Sequence, residues 1–168
     1  LESYLLTKSE KIVILTHGYK TMLLESKKIP KNKIAVIRTC ADPQDFFPIE
    51  GNKKDSLTIG YLGSIDSAYS FEEIVKFFKN FLNFHDNSIL KILSKLDGEG
   101  LFVLLNKYKI PRSKVVVKYA IREELNREIN SFDLLIFCLK ENYSIVASMP
   151  TKIGEALSCG KPVICNAF

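Results

Sequence analysis

Short apolar runs alternate with helix-length amphipathic stretches from residue 57 to residue 164, and this alternation leaves few folds open to the chain. Short, mainly apolar runs at Leu57–Leu62, Ile89–Leu93, Val115–Val117 and Leu134–Phe137 read as strands, and a fifth begins at Pro162–Ile164. Val115–Val117 is a β-branched run suited to burial on both faces. Between the strands the spacing changes to that of helices. Ile74, Val75, Phe77, Phe78, Phe81 and Leu82 share one face, behind a Ser70/Glu73 capping box. Leu101, Phe102, Leu104, Leu105 and Tyr108 repeat the pattern, and Ile121, Leu125 and Ile129 mark a helix over about 122–130. Strand and helix in strict succession predict an α/β fold, a doubly wound parallel sheet.

The first 48 residues stand apart from this unit. They predict a strand at Lys11–Leu15, a helix at Tyr19–Ser26, a strand at Lys33–Ile37 and a closing turn at Asp42–Pro48. The polar stretch 49–56 reads as a linker, and 57–168 as the main domain. With 46% hydrophobic and 26% charged residues the chain has a globular composition, and no apolar run approaches the length of a membrane span. The chain opens Leu-Glu-Ser-Tyr without a signal-like segment, which fits an excerpt of a longer protein. Its net charge of +5 is mild. Lysines cluster at 27–28, 31–33 and 53–54 without aromatic interleaving, which disfavours nucleic acid and leaves a peripheral membrane contact open. Four cysteines without a Cys-x-x-Cys pair, and two distant histidines, predict a reducing, cytoplasmic setting with no metal site.

The most specific segment is Ser148-Met-Pro-Thr-Lys-Ile-Gly-Glu-Ala-Leu-Ser-Cys-Gly-Lys-Pro-Val-Ile164. It predicts a helix that starts near Thr151 and ends on Gly160. A helix N-terminus offers unpaired N–H groups and a positive dipole end, so it suits a phosphate. Thr151 adds a hydroxyl there and Lys152 a cation, while Glu155, one turn on, can accept hydrogen bonds from ribose hydroxyls. An ordinary capped helix with a solvated Lys and Glu has the same spacing. Gly60 and Gly63 would let backbone approach a ligand after the first strand, and Ser64 can bond a phosphate; a tight turn reads the same way.

This segment resembles the nucleotide-sugar motif of GT-B-fold glycosyltransferases of the retaining family 4, whose helix carries Glu-Ala-Leu-(Ser/Ala)-Cys-Gly-Lys-Pro-Val-Ile. The family often has two glutamates separated by seven residues. Glu155 matches the second, while Ala147 stands where the first, near the donor sugar, would be. Asp42 and Phe47-Pro48 match parts of the family's interdomain crossing, without its Pro-Asn-Gly. The resemblance implies a Rossmann-like domain of a GT-B fold. It also implies a nucleotide-sugar donor (UDP-, GDP- or ADP-sugar), with no metal or other cofactor. The acceptor would be a glycan or a lipid-linked sugar in surface polysaccharide or lipopolysaccharide synthesis, held by a domain outside this chain. Residues 1–48 would then be the end of the acceptor-side domain, and the protein would work in the cytoplasm, at the inner face of the membrane.

The resemblance further implies that the loop after the third strand lies over the nucleobase, with Tyr119 or the backbone at Ala120 touching it; Tyr119 as a mere cover of the sheet end is equally compatible. The segment from Lys140 to Pro150 leads into Thr151 and is expected at the donor. The family's Arg and Lys-Gly pair after the first strand are absent, leaving Lys152 as the phosphate cation. Nothing in the sequence assigns a catalytic residue, and His17 reads as structural. The rival expectation is a non-catalytic nucleotide-binding module of the same descent. An incomplete sheet predicts self-association, and a receiver-type domain is disfavoured because the third strand ends Val117-Lys118-Tyr119.

Overall fold

The structure, a computed structural model, describes residues 2–51, 55–65, 70–95, 99–140 and 143–166. The chain divides into two compact units, one of residues 1–40 and 141–151, the other of 41–140 and 152–168. In the first, α1 (Glu2–Lys8) precedes β1 (Ile12–Ile14), α2 (His17–Ser26) and β2 (Ile34–Val36), and β1 and β2 pair in parallel. Ile12, Ile14, Leu23, Ile29 and Ile34 form its core. Thr16 caps α2 through its side chain, which accepts from Tyr19 N–H at 3.1 Å. Residues 140–150, expected as one long loop, contain the short helix α6 (Tyr143–Ala147); Glu141 and Asn142 lie outside the described residues.

The second unit is the doubly wound domain. Five parallel strands, β3 (Thr58–Leu62), β4 (Ile89–Leu93), β5 (Val115–Lys118), β6 (Leu134–Phe137) and β7 (Val163–Cys165), stand in the order β5-β4-β3-β6-β7. The chain steps outward from β3 to β5, then returns to the other side of β3. Crossovers run through α3 (Phe71–Phe81), α4 (Glu99–Lys107), α5 (Arg122–Asn130) and α7 (Thr151–Ser158). Because strand side chains alternate, the sheet supports two cores. Ile59, Tyr61, Leu90, Ile92 and Ile136 meet Ile74, Val75, Phe78, Leu101 and Leu105 of α3 and α4. Leu62, Leu93 and Leu135 meet Ile129, Phe132, Ala156 and Cys159 on the side of α5 and α7, and Phe46 joins them from the segment before β3.

Three local expectations are corrected. Val116 and Val117 are 43% and 40% exposed, because β5 is an edge strand and not a central one. Ser70 precedes α3 but makes no side-chain cap; Glu73 N–H donates to the Ser70 carbonyl at 3.1 Å, and the Glu73 carboxylate pairs with Lys76 at 2.7 Å. Gly60 serves packing and not a ligand, since a Cβ there would lie 2.0 Å from the Phe132 ring. The end of α7 is as expected. Gly160 is left-handed at φ +71°, with Lys161 N–H donating to the Ala156 carbonyl and Gly160 N–H to that of Leu157, both at 2.9 Å. No helix of the described residues is long and apolar enough to cross a membrane.

An ion-paired charge is buried against the sheet. Glu128 receives Lys91 at 2.6 Å and Lys118 at 2.6 Å. Burial pushes its carboxyl up, but the hydrogen bonds from Lys118 and Lys91 outweigh that and leave it below the ordinary carboxylate range. Stability from this group is therefore present above the ordinary carboxylate pKa and lost as pH falls through the lowered one. Glu128→Gln should cost roughly 2 kcal/mol at neutral pH, less than a fully buried pair because Lys118 is partly screened. Urea unfolding from pH 7 to pH 3 should show the variant with a flatter acid limb. Gly60→Ala should destabilise by about 3 kcal/mol in the same assay, because the Phe132 ring must move; a loss within error would show that the ring relocates freely.

Candidate functional site

The register of the sheet places three loops side by side. Leu62 pairs with Leu93, and Leu93 with Lys118, so β3, β4 and β5 end level. The ladder continues one step past them, with Gly63 N–H donating to the Leu93 carbonyl at 3.0 Å and Ser94 N–H to that of Lys118 at 3.1 Å. Beyond these ends lies a cavity of about 520 Å³, within the range of small-molecule sites. Gly63 and Ser64 follow β3 on one side of it, Ser94 and Lys95 follow β4, and Tyr119 and Ala120 follow β5. Leu62, Leu93 and Leu125 form its apolar wall, and Lys152 enters from the first turn of α7. Position at the carboxyl ends of the strands is the rule for ligand sites in open α/β sheets.

Two contacts shape this rim. The Tyr61 hydroxyl donates to the Ser64 carbonyl at 2.6 Å and fixes the loop after β3. Gly63 has no room for a side chain, because a Cβ would stand 2.8 Å from the Tyr61 hydroxyl and 3.3 Å from Lys152 Nζ. Lys152 therefore lies directly over the Gly63 backbone, and the close approach expected at Gly63 is to that ammonium group. Tyr119 is 55% exposed, its side chain available at the mouth of the cavity.

Of the residues singled out from the sequence, Gly63, Ser64, Tyr119, Ala120 and Lys152 meet at this cavity. Glu155 does not line it. It is buried one turn along α7, and its Oε1 accepts from Arg122 Nη1 at 3.3 Å, while Arg122 Nη2 reaches Asp45 Oδ2 at 2.9 Å. Burial holds the Glu155 carboxyl above its ordinary value despite the charges of Arg122 and Lys152. Pro150, half-buried, and Thr151, exposed, fall in the first unit, as does Ala147, which ends α6. His17, the first residue of α2, is exposed in that unit.

Two lining residues, Ser94 and Lys95, went unread in the sequence. Their signal was available, since they follow a strand of the same sheet directly, but they belong to no motif. Lys95 stands beside Lys152, the main candidate from the sequence: among the described residues two ammonium groups line the cavity and no acidic residue or histidine does. Such a set is chemically suited to an anion carried on an apolar or aromatic body. Among the described residues no cluster of His, Cys, Asp or Glu is placed to hold a metal ion.

No protein-family model matches the sequence, and no curated protein is significantly similar to it. Solved structures do match. A glycosyltransferase from Rickettsia africae ESF-5 superposes with a TM-score of 0.74 at 18% identity, over 93% of this chain and 44% of that one. WaaG, a glycosyltransferase involved in lipopolysaccharide biosynthesis, gives 0.71 at 15% identity, over 92% of this chain and 44% of that one. The fold is that of the GT-B glycosyltransferases. A further GT-B-like match is the pneumococcal O-GlcNAc transferase GtfA in complex with UDP and GlcNAc, with a TM-score of 0.68 at 12% identity, over 96% of this chain and 31% of that one. The chain thus spans less than half the length of each of these enzymes.

Gly63→Ala should break the Tyr61–Ser64 hydrogen bond, because the added methyl group takes the space of the hydroxyl. The expected loss is about 1 kcal/mol in chemical unfolding, with an altered Tyr61 ring environment in NMR spectra. An unperturbed Tyr61 would show that the loop yields instead.

Proposed function

We propose that this chain is the donor-binding part of a glycosyltransferase and that the cavity beyond β3, β4 and β5 receives a nucleotide-sugar. The observation that carries this reading is the convergence of Lys152, Lys95, Ser64 and Ser94 with an apolar wall in a cavity of nucleotide size. The diphosphate would lie at the lysine and serine side, near the N-terminal end of α7 with its positive dipole. The base would lie along Ala120 and Leu125, with Tyr119 over it. That one similar enzyme was solved with UDP and GlcNAc supports the reading and makes a UDP-sugar the first choice among the nucleotides.

Transfer would need charge stabilisation as the nucleoside diphosphate leaves. Lys152 and Lys95 supply fixed positive charge for this without a metal or other cofactor. The acceptor, a glycan or lipid-linked sugar in surface polysaccharide or lipopolysaccharide synthesis, would be held by a part of the enzyme outside this chain. Work on the cytoplasmic side of a membrane is supported by the charge distribution. Residues 1–40 carry eight lysines and arginines against three glutamates, whereas the rest of the chain is balanced.

A second reading, a nucleotide-binding module without transferase activity, is favoured by one observation: Ala147 stands where the family places its first glutamate. Sugar dependence separates the two. In thermal-shift titrations with UDP, GDP, ADP and their sugar conjugates, one base should stabilise the chain by about 2.7 kcal/mol at a hundredfold excess over Kd. Lys152→Ala and Lys95→Ala should each remove most of that stabilisation. A sugar conjugate that stabilises more than its bare diphosphate supports the transferase, and equal effects support the module. No stabilisation of the folded chain by any nucleotide would overturn both.

A further inference from the structure

Arg122 lies between the elements that build two walls of the cavity. It is the first residue of α5, immediately after the loop that carries Tyr119 and Ala120, and the same helix contributes Leu125. Lys152 of α7 also lines the cavity. No stretch of chain joins these walls directly, because β6 and α6 intervene. The Arg122 guanidinium does, beside the hydrogen bond from Cys159 Sγ to Asn126 Oδ1 at 3.2 Å and the apolar packing of Ile129 with Ala156. It pairs with Glu155 of α7 at 3.3 Å and with Asp45 at 2.9 Å, and it lies 4.9 Å from the centre of the Phe46 ring.

The segment 45–49 that completes this arrangement is itself held by α5. Asn126 and Asn130 follow Arg122 at intervals of four residues and so share its helix face. Asn126 Oδ1 accepts from Phe47 N–H at 3.2 Å, and Asn130 Oδ1 from Ile49 N–H at 2.9 Å. Asn130 Nδ2 donates back to the Phe47 carbonyl at 3.0 Å. Asp45 and Phe46 are thereby fixed relative to α5, and Arg122 carries that fixed reference across to α7.

We propose that Arg122 is a positioning residue of the cavity, holding α7 and its Lys152 against the Tyr119–Ala120 wall by pairing with Glu155 and Asp45 at once across the Phe46 ring. The role in ligand binding rests on reading the cavity as a nucleotide-sugar site. It assigns Glu155 to the support of α7, in place of the contact with ribose that the motif suggests. Lysine cannot reproduce it, since only a planar fork reaches two carboxylates while stacking on a ring. The charged and titratable groups facing Glu155 are Arg122 of α5 with Asp45 behind it, Lys152 of its own helix, and Cys159 just past that helix's end. Without Arg122, the buried carboxylate would be driven further towards its neutral form. At high pH it would stand as an unpaired anion beneath the site.

The test uses hydrogen exchange of the free chain and calorimetry with UDP, on the wild type, Arg122→Ala, Arg122→Lys, Glu155→Gln and the double variant R122A/E155Q. In Arg122→Ala, amides of both the 119–122 segment and α7 should exchange faster, while those of β3 and β4 stay protected. UDP affinity should fall about tenfold, within the range of coupling between neighbouring groups, and Arg122→Lys should lie between. The loss in Arg122→Ala should deepen as pH rises, when Glu155 ionises, and the double variant should show no such dependence. Unchanged exchange in α7 would overturn the proposal, as would a loss of affinity equal at every pH and not relieved by Glu155→Gln. A folded wild type that binds no UDP would instead count against a uridine nucleotide in this cavity, and the exchange experiment would still decide the role of Arg122.

Discussion

β3 is closed on every side, and the second unit is organised by that closure. Both of its edges are paired, to β4 and to β6, and all five of its residues are buried. One face carries Ile59 and Tyr61 into the core beneath α3 and α4. The other gives up a side chain at Gly60 so that Phe132 can lie on the backbone. A strand in this position cannot shift register by one residue without reversing both faces. The level ends of β3, β4 and β5 follow from it, and so does the cavity that they frame.

Above that frame the site is built from contacts that leave little slack. Tyr61 spans from the core to Ser64, which couples packing below the sheet edge to the position of the loop above it. Gly63 admits Lys152 because it lacks a side chain. Arg122 then ties the helix behind one wall to the helix behind the other. Charge follows the same division. The buried anion Glu128 is neutralised by two lysines away from the cavity, whereas Lys95 and Lys152 line it.

Similarity to known enzymes enters through shape and not through sequence, with identities of 12–18% at TM-scores of 0.68–0.74. That is what the packing would produce. A parallel sheet constrains side-chain volume and alternation along each strand but tolerates many residue combinations that satisfy both. The nucleotide-sugar reading therefore stands on the residues gathered at this cavity, and the shared fold supplies only the place to look.

The sequence by itself determined the strands and helices of the second unit, whose bounds at Ile89–Leu93, Arg122–Asn130 and Leu134–Phe137 are those of the structure. Periodicity is a local property, and it survives without knowledge of neighbours. Thr151–Lys152 at the head of a helix and Gly160 at its end were legible for the same reason, because capping is read within a few residues. What the tertiary structure decided is everything that depends on strand order. Val116 and Val117 have the composition of a central strand and stand at an edge. Gly60 faces an aromatic ring more than seventy residues away. Lys95 belongs to no motif and joins Lys152 because β4 lies beside β3. Glu155 is paired with Arg122, thirty-three residues earlier in the chain. Proximity across a sheet is set by which strands pair, and no local pattern of side chains encodes it.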